Sequence, residues 1–97
     1  MTDDELIDAL EKMRRAEKAW GYACKRHADA IRALHIWRKR DGERGNTHHG
    51  KHAARQRAHY GEKADAWENA KNRAFGIWKD MDRRIADAHK TEEDDHA

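Results

Sequence analysis

Three rows of residues repeat every seven positions through the first half of the chain, and no proline stands anywhere to interrupt them. Leu6, Met13, Trp20, His27 and Leu34 form one row, and Leu10, Glu17, Cys24, Ile31 and Arg38 form a second. Between them run Ala9, Ala16, Ala23, Ala30 and Trp37. A seven-residue repeat keeps one face of an α-helix toward a partner helix, and a central row of alanines lets the two backbones approach closely. Without proline, every position retains the N–H that a helix needs.

The second half carries the complementary pattern. Tyr60, Ala64, Trp67, Lys71, Ala74, Trp78, Met81, Ile85 and Ala88 alternate in steps of four and three, with Ala70, Ile77 and Phe75 widening the face. The fold class that follows is all-α: a long antiparallel helical hairpin, a two-helix coiled coil in one domain spanning 1–97. The expected divisions are a helix over 3–40, a basic turn over 41–50, a helix over 51–90 and an acidic tail over 91–97. Thr2-Asp3-Asp4-Glu5 reads as a capping box at the first helix start, with acids suited to the positive end of the helix dipole. Arg38-Lys39-Arg40 suits a helix C-terminus, and Gly42 is the expected stop. Asn46 or Thr47 would cap the second helix. Gly21, Gly61 and Gly76 sit inside the helices beside aromatics and suggest close packing or a slight bend there, since each costs about 1 kcal/mol against alanine.

Two helices of about 35 residues each extend roughly 50 Å, and an isolated pair that long covers each seam from one side only. Trp20, Trp67 and Trp78 need more cover than that, so a homodimer completing a four-helix bundle, or packing on a partner, is expected. Ile7, Tyr22 and Ile36 form a sparse apolar stripe on the far side of the first helix, a candidate second contact surface.

Charge is distributed unevenly. Residues 38–63 carry eight Lys/Arg against three acids, while 1–37 balance and 64–97 hold nine acids against six bases. Arg38, Lys39, Arg40, Arg44, Lys51, Arg55, Arg57 and Lys63 are therefore the candidate partner-binding residues, suited to a phosphate backbone or an acidic protein groove. Tyr60 and His59 could stack on a base. His48, His49, His52 and His59 offer two imidazoles at helical spacing but no third and fourth ligand, so no metal site is expected. Their protonation near pH 6.5 would strengthen the positive patch.

Cys24 lies in an apolar row and reads as a core residue, and one cysteine excludes an intramolecular disulfide. Glu17 and His27 interrupt the seam and read as register devices against a polar residue such as Lys71. No phosphate loop, nucleophile elbow or paired-carboxylate pattern occurs, so neither an enzyme nor a cofactor is expected. No signal peptide, long apolar run or lipidation motif is visible, which makes a cytoplasmic location the default.

In size and composition the chain resembles phage-encoded accessory proteins, anti-CRISPR inhibitors among them. That resemblance implies an inhibitor or adaptor docking on a larger protein or nucleoprotein. In architecture it is also similar to the small plasmid RNA-binding helical hairpin that regulates copy number, which implies the alternative, a homodimeric RNA- or DNA-binding regulator. The secreted WxG-type hairpins are similar in length, but they carry Trp-x-Gly in the turn. Here Trp20-Gly21 is contiguous and inside a helix.

Overall fold

Two long helices make up the protein, α1 over Asp3–Arg44 and α2 over His48–His96, paired as a helical hairpin. The structure is a computed structural model that describes the backbone of residues 1–44 and 48–96 and the side chains of residues 1–41 and 51–90. The expected Asn46 or Thr47 cap lies outside the described residues. So do the Arg44, His48 and His49 side chains and those of the acidic run from Glu92 to Asp95.

The start of α1 forms the Thr2 half of the expected capping box, while Glu5 meets the Thr2 hydroxyl and not an amide. The Glu5 N–H donates to Thr2 Oγ1 at 3.2 Å, and the Leu6 N–H donates to the Thr2 carbonyl at 2.9 Å. The Thr2 hydroxyl in turn donates to Glu5 Oε1 at 3.2 Å, so the carboxylate closes the box on the hydroxyl. Asp3, Asp4 and Glu5 fill the first turn, where the helix dipole favours negative charge.

Three boundaries differ from expectation. Gly42 lies inside α1, which continues to Arg44. Gly50 lies inside α2, which begins at His48, and α2 runs on past Lys90 through the acidic run to His96. An internal glycine costs about 1 kcal/mol against alanine. That is too little to end a helix when a terminating contact is not also supplied.

The chain divides into two compact units, Met1–Gly21 with Lys71–Ala97, and Tyr22–Ala70. In the first, Ala9 and Ala16 of α1 are buried together with Ala74 and Met81 of α2, and Met13, Trp78 and Ile85 are half-buried. In the second, Ala23, Ala30 and Leu34 are buried with Ala53 and Ala64, and Trp37, Tyr60 and Trp67 are half-buried.

Alanine therefore occupies the centre of each seam. Only Leu34 and Met81 add a larger buried side chain among the described residues. A methyl group contributes roughly 0.8 kcal/mol on burial, so such a core gains less than one built of leucine. Leu34 and Met13 apart, the large aliphatic and aromatic side chains of the flanking rows are left at the margins. Leu6, Leu10, Trp20, Ile31, Phe75 and Ile77 are all exposed.

Of the two expected reasons for the helical glycines, close packing fails at two positions. A Cβ built on Gly21 or Gly76 meets nothing within 4 Å, so close packing inside the chain does not explain either. On Gly61 it would meet Leu34 Cδ1 at 3.9 Å, an ordinary contact.

Candidate binding surfaces

The basic residues divide into those the chain uses itself and those it presents. In the unit Tyr22–Ala70, Arg57 donates from Nη1 to Asp41 Oδ2 at 3.0 Å, tying α2 to α1. The Arg40 guanidinium lies 4.9 Å from the Trp37 ring centroid, and His52 meets the same ring edge-on at 5.5 Å. Arg40 is thus spent on an aromatic face, an interaction of roughly 0.5–1 kcal/mol at an exposed site.

Arg38, Lys39, Lys51, Arg55 and Lys63 are exposed and make no ion pair with a described acid. They form the presented part of the candidate site. Arg44 lies in α1, with its side chain outside the described residues.

Unit charges sharpen the picture. Tyr22–Ala70 holds eleven Lys/Arg against six acids, a formal +5, whereas Met1–Gly21 with Lys71–Ala97 holds ten against thirteen, a formal −3. The positive charge thus belongs to a whole packed unit that includes Lys25, Arg26 and Arg32 as well as residues 38–63.

The candidate second stripe is exposed at Ile7, Tyr22 and Ile36, each at half or more of its full area. Tyr22 is nevertheless held in place. Its ring meets Trp67 edge-on at 5.5 Å, and its hydroxyl accepts from Arg26 Nε at 3.1 Å. That hydrogen bond raises the Arg26 pKa further above its ordinary value, with the charge interaction between the same two groups acting in the same direction. Tyr22 therefore covers Trp67 as a lid ring, which Ile7 and Ile36 do not.

Among the described residues, each unit has a hollow beside its seam. In the acidic unit, Glu17, Trp20, Phe75 and Trp78 line a cavity of about 170 Å³. Phe75 and Trp78 stack with planes 11° apart and centroids 6.5 Å apart, and Lys79 Nζ sits 5.8 Å from the Phe75 centroid. In the basic unit, Ala54, Ala58 and Gly61 floor a shallow groove of about 380 Å³, walled by Leu34 and rimmed by Arg38 and the Asp41–Arg57 pair.

Glu17 is exposed in the first hollow and makes no ion pair with Lys71, so its expected register role is replaced by a place on an aromatic surface. The aromatic hollow is absent from the sequence-based site. Its signal was Phe75 flanking a row that already held Trp78, opposite a helix face bearing Trp20.

His52 and His59 are each engaged with a ring, Trp37 and Tyr60 respectively. Among the described residues no group of three or more His, Cys, Asp or Glu is arranged to hold a metal ion, and no helix is long and apolar enough to cross a membrane. Cys24 is a half-buried free thiol. Compared with known families, with curated proteins and with solved structures, the chain matches none.

Proposed function

We propose that this chain is a non-enzymatic helical binding protein, an inhibitor or adaptor of the cytoplasm that docks on a larger acidic protein or nucleoprotein and acts as a homodimer. The observation that carries this reading is the set of five exposed cations, Arg38, Lys39, Lys51, Arg55 and Lys63, without a described acidic partner in a unit of formal charge +5. Such a surface steers an acidic partner and fixes its orientation.

A protein target is favoured over bare nucleic acid because the molecule also exposes aromatic and aliphatic side chains. Trp20, Phe75, Ile7 and Ile36 are the kinds of residue that anchor protein interfaces, and phosphate binding does not call for them.

The test is affinity capture from cell lysate with the wild type and with a Lys51→Glu, Arg55→Glu, Lys63→Glu variant, each with and without nuclease. A protein retained by the wild type after nuclease and lost by the variant supports the reading. Retention that disappears with nuclease alone would move the answer to a nucleic-acid regulator. Equal retention by variant and wild type would remove the basic surface from the account.

A further inference from the structure

We infer that the groove of the basic unit receives an acidic peptide segment of the partner, with one apolar side chain of that segment on the groove floor and its carboxylates at Arg38. The inference rests on the docking reading above and names the chemistry of the segment that docks. Every residue lining the groove belongs to the unit Tyr22–Ala70.

The shape of the groove sets the size of its occupant. Leu34, Arg38 and Asp41 follow one another along α1 in steps of four and three, and Ala54, Ala58 and Gly61 do the same along α2. Such steps keep each set on one side of its helix, so the groove runs between the helices for two turns, about 10 Å. Leu34 closes one end, where its Cδ1 lies 3.9 Å from the Cβ position of Gly61. Toward the other end the Arg57–Asp41 pair bridges the two helices. Ala54 and Ala58 are exposed, so the described side chains leave the floor open. A cavity of about 150 Å³ admits a benzene ring, and the groove's 380 Å³ therefore has room for a leucine or phenylalanine side chain.

Charge decides what else the occupant carries. Arg38 is exposed and makes no ion pair with a described acid. Asp41 lines the groove, but its carboxylate is already held by Arg57 at 3.0 Å. Two arginines against one aspartate leave the lining at a formal +1. Lys51, three residues before Ala54, adds an exposed cation on the same side of α2. The unit's formal +5 does not depend on side chains outside the described residues, since Glu43 and Arg44 cancel. Glu62 is exposed four residues beyond Ala58 and does not line the groove. Carboxylates of the docked segment therefore belong at the Arg38 and Lys51 end, and its apolar side chain belongs toward Leu34. A guanidinium can take a carboxylate through two parallel N–H bonds. A nucleic-acid backbone would match the cations and leave the apolar floor unfilled.

The experiment is fluorescence anisotropy at physiological salt with short labelled peptides in which a leucine precedes or follows an acidic run. Each is paired with a control carrying serine in place of leucine. The full chain is titrated as wild type, Arg38→Glu and Ala58→Leu. Arg38 and Ala58 are exposed, so the fold is expected to survive each change, and circular dichroism checks it. Ala58→Leu keeps every charge and fills the floor. The wild type should bind the leucine peptide of the better order at least about 10-fold more tightly than its serine control. Arg38→Glu should weaken both by about 10-fold or more. Ala58→Leu should bring the leucine peptide to within about 3-fold of its control, because the space for the side chain is gone.

Acidic peptides bound without any preference for leucine would overturn the groove and leave the basic surface of the docking reading standing. If no acidic peptide binds the wild type, the groove and the acidic-partner reading beneath it both fail. Labelled single-stranded RNA that binds more tightly than the peptides and is released by Arg38→Glu would give the surface to nucleic acid. A wild-type dimer in sedimentation equilibrium that Ala58→Leu dissociates would give the groove to a second copy of the chain.

Discussion

Gly21 and Ala23 are two residues apart on α1, and substitutions at them are predicted to act in opposite directions. Gly21 is exposed, and a Cβ there meets nothing within 4 Å, so Gly21→Ala gains helix propensity with no steric offset. The gain is about 1 kcal/mol. For a domain of this length it corresponds to a rise in Tm of about 4–8 °C. Ala23 is 2% exposed at the centre of the seam, so the extra carbons of Ala23→Leu have no open space to enter. Overpacking of that kind costs about 1–3 kcal/mol and lowers Tm by at least as much as the glycine change raises it.

The assay is thermal and urea unfolding followed by circular dichroism. Protein concentration must be held fixed, because self-association makes Tm depend on it. Unchanged m-values would confirm that stability, and not the compactness of either end state, has moved. A Gly21→Ala variant that melts lower would refute the open-space argument and place another surface against that side of α1. An Ala23→Leu variant as stable as the wild type would refute the alanine-centred seam.

Further substitutions probe separate parts of the account. Leu34→Ala removes one of the two large buried side chains among the described residues and should cost about 2–5 kcal/mol, read from the urea midpoint. Thr2→Ala breaks the capping box and should cost about 0.5–2 kcal/mol, with loss of amide protection confined to the first turn of α1. A double-mutant cycle on Asp41 and Arg57 should return a coupling of about 0.2–1 kcal/mol that shrinks in salt, since the pair is partly exposed.

The helices were legible because their signal is redundant. Each seven-residue row, the capping box and the lack of proline point to the same hairpin, and the Ala9-to-Ala30 row lies buried at its centre. The helix ends were less legible, since Gly42 and Gly50 weaken a helix by about 1 kcal/mol each without ending it. The basic surface was read by position, but its internal use was not. Asp41 continues the Leu6-to-Leu34 row by one more heptad, and that places it where Arg57 can reach it. The aromatic hollow was missed for a related reason. Periodicity assigns Trp20 and Trp78 to a seam, whereas the depth of burial depends on how closely two alanine rows bring the backbones together.

The most direct test of the proposed docking role is fluorescence anisotropy of labelled RNA and DNA, as duplexes and single strands, at physiological salt. Wild type would be titrated alongside a Lys51→Glu, Arg55→Glu variant. The protein-directed reading predicts no tight binding by either. Tight binding by the wild type that falls steeply with added salt and is abolished in the variant would contradict it, and would make the chain a nucleic-acid-binding protein.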